Sequence, residues 1–172
     1  MTQLGTETVF VPVSWQQLRE LVDHGELNEP LPAYGVTPGL VAWGEFGPGD
    51  GEDALFAAQS VAAVAALRLP GGSADGSEVP RVVLAVPAAG FVADADDTLG
   101  TGRLPGLTWP HVASVFSDPA GLDLTTARQA AATAADLGQA WDDPVVADLV
   151  DEHDLGWHTP EEAVRWCRGD DS

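Results

Sequence analysis

The stretch Thr8-Val9-Phe10-Val11-Pro12-Val13-Ser14-Trp15-Gln16-Gln17-Leu18-Arg19-Glu20-Leu21-Val22-Asp23-His24-Gly25 decides the fold class. Its first six residues are rich in Val and Phe, a strand signal. Ser14-Trp15-Gln16-Gln17 is a capping box, in which Ser and Gln satisfy each other's free N–H groups and open a helix. Trp15, Leu18, Leu21 and Val22 fall on one face of that helix, and Gly25 ends it after His24. A strand followed at once by an amphipathic helix opens an α/β unit.

Outward from there, a proline-bounded loop over 28–32 leads into Ala33-Tyr34-Gly35-Val36, a short strand, and Thr37-Pro38, the N-cap and first residue of a short helix with Trp43 and Phe46 on its apolar side. After a glycine-proline break at 47–51, a longer helix starts at Asp50 or Glu52-Asp53 and runs through Leu69. Leu55, Ala58, Ala62, Ala65 and Ala66 line one face, and so much alanine permits close approach to a sheet or to another helix. Residues 70–80 read as a flexible loop within the domain, because the strongest strand, Arg81 to Val86, follows immediately. That run is apolar enough to be buried on both faces.

Val112 to Phe116 reads as a fourth strand, and Ala127, Ala130, Ala131, Ala134 and Ala135 repeat at helical spacing. Asp143-Pro144 caps a helix carrying Val145, Val146, Leu149 and Val150. Leu155 to His158 is a short strand or turn, and Thr159-Pro160-Glu161-Glu162 is a second capping box, opening a last helix with Val164, Trp166 and Cys167. The expectation is a single α/β domain over residues 1–172, with a mixed sheet of about four or five strands flanked by helices.

Composition removes several functions. Asp and Glu number 27 against 7 basic residues, a formal charge of −20. All the basic residues are arginine, so no lysine is present for a P-loop or a Schiff base. Such a chain repels polyanions, whose binding needs Lys and Arg to displace counterions, so neither nucleic acid nor an anionic membrane is an expected partner. The longest apolar stretch, Ser60 to Leu67, falls far short of the roughly 20 residues that span a bilayer. Met1 to Phe10 has no basic residue and no apolar core, so no signal peptide is read and a cytoplasmic location is expected. Cys167, the only cysteine, suits a reducing compartment. Isoleucine is absent and Asn28 is the only asparagine, a composition that a GC-rich genome or adaptation to salt produces alike.

Asp148, Asp151, Glu152, His153, Asp154 and His158 form the most polar cluster. Adjacent His153-Asp154 resembles the pair with which HD phosphohydrolases hold a divalent ion that activates water. Further ligands would have to come from His24, His111 and scattered aspartates, and the five-residue spacing of His153 and His158 does not suit one helical face. The simpler reading is a helix C-terminus carrying a histidine that favours the dipole. Asp94-Ala95-Asp96-Asp97 resembles a D-x-D signature but reads as a solvated acidic turn. Gly100-Thr101-Gly102 opens no helix and reads as a loop. No G-x-S-x-G elbow is present, and Cys167 beside Trp166 reads as a buried structural thiol. The six tryptophans, Trp15, Trp43, Trp109, Trp141, Trp157 and Trp166, sit where elements meet a core, although indole also suits a sugar or peptide groove.

Three motifs, taken in order, carry a resemblance. Val9-Phe10-Val11-Pro12-Val13 with Leu18-Arg19-Glu20-Leu21, then Ala33-Tyr34-Gly35-Val36-Thr37-Pro38, then His153-Asp154-Leu155-Gly156-Trp157-His158 with Glu161-Glu162 resemble an uncharacterised actinobacterial protein family. His158 stands where that family commonly has tyrosine. The resemblance spans nearly the whole chain, implies an actinobacterial source and supplies no catalytic residues.

The functional expectation is a non-catalytic cytoplasmic protein-interaction domain with no cofactor, since no convergent nucleophile, base and oxyanion donors are readable. Residues 136–172 hold eleven acids and two arginines, a net of 2 − 11 = −9, so this end is the expected docking surface for a basic protein partner. Asp151, Glu152, His153, Asp154, Trp157 and His158 are its candidate residues. The alternative is a metal-dependent hydrolase acting on a phosphorylated small molecule, with a divalent ion at His153 and Asp154. It requires at least two more ligands converging on the same point.

Overall fold

In the computed structural model, which describes residues 8–69, 79–119 and 121–169, the opening stretch forms strand β1 (Thr8–Val13) and helix α1 (Trp15–His24). Both halves of the capping box are made: Gln17 N–H donates to Ser14 Oγ at 3.1 Å, and Ser14 N–H donates to Gln17 Oε1 at 2.9 Å. Gly25 stops α1 at φ 82°, a left-handed conformation that glycine adopts without strain. Leu18 and Leu21 are fully buried beneath it, each contributing about 1.5–3 kcal/mol.

Next come β2 (Glu26–Leu27), β3 (Leu31–Gly35), α2 (Pro38–Gly44) and α3 (Gly51–Leu67). β4 (Val82–Pro87) runs antiparallel to β1 along its whole length, with Thr8 opposite Pro87 and Val13 opposite Val82. β5 (Val92–Ala93) and β6 (Thr101–Leu104) extend the sheet beyond β3, while β7 (Leu107–Thr108) leaves it to pair with β2 as a separate ribbon. A 3₁₀ turn (Trp109–His111) leads to β8 (Ser114–Ser117) beside β4. Helices α4 (Thr125–Thr133), α5 (Leu137–Asp142) and α6 (Pro144–Glu152) precede β9 (Gly156–His158) on the outside of β8, and α7 (Pro160–Arg168) closes the described chain. The strand order is β5-β6-β3-β1-β4-β8-β9.

The α/β class is as expected, but the sheet is larger: among the described residues it has seven strands, with every pairing antiparallel, where four or five in a mixed sheet were expected. β5, β7 and β9 are two or three residues long, too short to show a period of two, and exist because a neighbour pairs with them. β4 is buried on both faces as its apolar run demands. Such burial normally signals a parallel sheet, and here it arises because helices cover both faces of an antiparallel one.

Alternation along β1 builds both layers. Val9, Val11 and Val13 join Leu18, Leu84 and Val115 on the face covered by α1 and α7. Phe10 joins Tyr34, Val83 and Ala85 beneath α3. The second half of α3, residues 61–67, is buried all round, because α4, α5 and α6 pack on its far side through Ala127, Ala131, Ala140, Val146 and Leu149. Its alanines make both approaches close. Among the described residues, no helix is long and apolar enough to cross a membrane.

Other local expectations shift by a few residues, for identifiable reasons. Residues 70–78 of the expected loop lie outside the described residues, whereas Val79 is buried. α4 does not continue through Ala134 and Ala135. The Arg68 guanidinium collects the carbonyls of Ala131 at 2.7 Å, Ala134 at 3.1 Å and Asp136 at 3.3 Å, and Asp136 then caps α5 by accepting from Gln139 N–H. Thr101 and Gly102 begin β6 instead of forming a loop. Gly100, at φ 78°, sits where a Cβ would collide with the Gly35 carbonyl oxygen. Trp43 is exposed on α2 and meets the Trp141 ring edge-on at 5.6 Å.

Candidate functional site

The His153-Asp154 segment joins the end of α6 to β9, and a buried ion pair holds it there. Arg81 and Asp118 have side chains that are 1% and 0% exposed. Arg81 Nε donates to Asp118 Oδ2 at 2.8 Å, its Nη2 to Oδ1 at 2.7 Å, and its main-chain N–H to Oδ2 at 3.0 Å. Nη2 also donates to the His153 carbonyl oxygen at 3.3 Å. What is fastened is therefore the backbone of residue 153, with Leu155 buried just beyond it. The adjoining cleft, bordered by Phe56, His153 and Asp154, has a volume of about 20 Å³. That is room for about one water.

The remaining candidates divide between two faces. Asp151 and Glu152 are exposed in the last turn of α6, and Asp154 is exposed beside them. Trp157 stands opposite Phe116 on the α3 side of the sheet, 61% exposed, and its Nε1–H donates to Ser114 Oγ at 2.9 Å. His158 stands opposite Val115 on the other side. Its Nδ1 lies 2.9 Å from Glu162 Oε2, and its ring meets Trp166 edge-on at 4.7 Å. The strand period of two thus separates Trp157 from His158 and ties His158 to α7.

Among the described residues, no three His, Cys, Asp or Glu side chains are grouped to hold a metal ion. The metal-dependent alternative finds no ligand set there.

The acidic turn behaves differently from its expectation. Asp94 and Asp96 are exposed, but Asp97 is half-buried and fully engaged. Its Oδ1 accepts from Thr101 N–H at 2.7 Å and from Thr101 Oγ1 at 3.3 Å, and its Oδ2 accepts from the Thr37 hydroxyl. Thr37 Oγ1 meanwhile accepts from Leu40 N–H at 3.1 Å as the N-cap of α2. Asp97 is a latch between this turn and α2. Cys167 is half-buried, and burial pushes its thiol pKa up, the opposite of what a reactive thiolate needs.

A larger cavity, of about 400 Å³, lies elsewhere, with Asn28, Thr108 and His111 on its lining. Sequence reading considered His111 only as a distant metal ligand. Nothing local in the sequence indicates that β2 and β7 pair and bring these three residues together.

Residues 8–165 match the model of a family of unknown function, DUF6912. The chain belongs to this family. The DUF6912 match takes in all nine strands described above and ends within α7. No curated protein and no solved structure matches the chain.

Proposed function

We propose that this DUF6912 chain is a non-catalytic, cytoplasmic interaction domain that docks a basic, extended segment of a partner protein at β9 and the end of α6. The observation that carries the reading is Trp157, a large indole left 61% exposed on the outermost strand while its N–H is held by Ser114. A ring fixed in this way offers its face to an Arg or Lys side chain. β9 has no partner on its outer side among the described residues, so its edge can accept an added strand.

Charge supports the same partner. Asp148, Asp151 and Glu152 crowd the C-terminal turns of α6, where the helix dipole disfavours anions by about 0.3–1 kcal/mol each. A local rule broken without structural compensation is expected at a functional surface. The one-water cleft, with the Arg81 guanidinium beside it already held by Asp118, favours docking over turnover. The cytoplasmic location rests on the composition, and the actinobacterial source implied by the resemblance agrees with the absence of lysine and isoleucine.

The test is fluorescence anisotropy with a labelled extended peptide in which Arg and Val alternate, against a control with Glu in place of Arg. Binding should weaken steeply between low salt and about 0.15 M ionic strength. Trp157→Ala should weaken it by roughly three- to thirtyfold, as a desolvated cation–π contact implies. Equal binding by wild type, Trp157→Ala and the Asp151→Asn/Glu152→Gln/Asp154→Asn triple variant would overturn the reading.

A further inference from the structure

The cavity of about 400 Å³ lies between the β2–β7 ribbon and the ends of β4 and β6, and its two walls differ in chemistry. The sheet wall is apolar, with Val86, Pro87, Leu104 and Pro105. The ribbon wall brings Asn28, Thr108 and His111. Thr108 Oγ1 lies 2.9 Å from His111 Nδ1, which orients the imidazole and leaves Nε2 as the ring atom for a ligand.

Both walls are stiff. Pro87 and Pro105 fix their own φ angles. A Cβ on Gly106 would lie 2.8 Å from the Leu27 carbonyl oxygen, so glycine at that position lets the ribbon close. Trp109 N–H donates to the Gly25 carbonyl at 2.9 Å and fastens the ribbon to the end of α1. The volume falls within the range of about 300–1,000 Å³ common for small-molecule sites.

Charge narrows the ligand. Among the described residues, no Asp or Glu lines this cavity, in a chain that has 27 of them. The open groove of about 560 Å³ between α4 and α5, in contrast, carries Asp142 and Asp143. An ammonium head would find no carboxylate partner in the cavity. A carboxylate head would face the field of a −20 protein with no arginine among the described lining residues to offset it. An uncharged acceptor meets neither difficulty: the Asn28 amide supplies N–H donors, and the His111 ring supplies one at Nε2 in the tautomer whose Nδ1 accepts from the Thr108 hydroxyl.

We propose that this cavity binds a small amphipathic molecule, with its apolar body against Val86 and Leu104 and an uncharged carbonyl head, an amide or ester, toward Asn28 and His111. The site is independent of the β9 edge. Hexanamide, hexanoate and hexylammonium, titrated into the isotope-labelled chain, test it through backbone amide shifts, alongside His111→Ala and Ala89→Trp. Ala89 and His111 are exposed lining positions, so both variants should keep native spectra away from the cavity.

Hexanamide should give saturable shifts at Leu107, Thr108 and His111, with hexanoate about tenfold weaker. His111→Ala should weaken hexanamide binding by about fivefold, and Ala89→Trp should abolish it. No saturable shift, shifts centred at β9, tightest binding by hexylammonium, or unaltered binding by both variants would each overturn the proposal.

Discussion

Replacing Asp118 by alanine leaves the Arg81 guanidinium at 1% exposure without its carboxylate. Three hydrogen bonds are lost at once, from Arg81 N, Nε and Nη2, and the cavity left by the small side chain cannot hydrate the cation fully. Removing one partner of a buried pair is strongly destabilising, by about 3–5 kcal/mol, because an uncompensated charge remains. For a chain of this size that is a fall in Tm of about 6–20 °C. Urea unfolding supplies the free energy directly. Arg81→Met/Asp118→Leu, which removes both charges and keeps most of the volume, should recover much of the loss, since replacing a whole buried pair with apolar groups is often neutral. Hydrogen exchange should also quicken across residues 153–158 in Asp118→Ala, where Arg81 Nη2 otherwise holds the His153 carbonyl. Asp118→Ala within about 1 kcal/mol of wild type would refute the argument, and so would a double variant as unstable as the single one.

Tyr34, the only tyrosine, has its pKa raised from 10.0 to about 12, first by burial and then by the negative charge of Asp94. The folded state keeps a proton that the unfolded chain releases, so this contribution to stability is complete below pH 10 and is lost as pH rises toward about 12. Tyrosinate absorbance, followed with and without denaturant, checks it, and a folded-state titration at the ordinary value would refute it. Gly100→Ala should destabilise by about 2 kcal/mol or more, since φ is 78° and the new methyl meets the Gly35 carbonyl. A urea midpoint equal to that of wild type would show that this turn relaxes freely.

The elements legible in the sequence are those whose local chemistry suffices to define them. Ser14 with Gln17, Thr37 with Pro38, Asp143 with Pro144 and Thr159 with Pro160 each place a cap and the residues it needs within a few positions, and all four open helices in the structure. What was not legible depends on residues far apart. Arg81 reads as a charge at the mouth of a strand, and nothing near it says that Asp118, 37 positions on, buries it. α4 ends where it does because Arg68, which belongs to the end of α3, reaches the carbonyls of Ala131 and Ala134. The pocket on the ribbon depends on the pairing of Leu27 with Leu107. Of the candidate site, the acidity around Trp157 follows from composition, but its exposure does not, since the tryptophans read as core-packing residues and Trp157 is left 61% exposed on an edge strand. The separation of His158 from that face does not, because a three-residue strand carries too little pattern to reveal its alternation.

A His-Asp pair invites a metal because of its side chains, but the structure constrains a different atom. The group that Arg81 holds is the carbonyl oxygen of residue 153, which any amino acid supplies. His153→Ala should therefore change stability by only about 0.5 kcal/mol, as for an ordinary surface substitution. A ligand specific to the native state, present at one hundred times its dissociation constant, adds about 2.7 kcal/mol, or about 5–11 °C at this chain length. With no ligand set grouped among the described residues, chelator-stripped protein should gain no such increment from Mg²⁺, Mn²⁺, Zn²⁺ or Ca²⁺. A small rise common to all four, unchanged in His153→Ala, is what screening of the −20 charge produces. A rise of the larger size with one ion, lost in His153→Ala, would mean that the imidazole and not the backbone is the working part of the motif. The β9 edge would then be the rim of a catalytic site, and the docking proposal would fall with it.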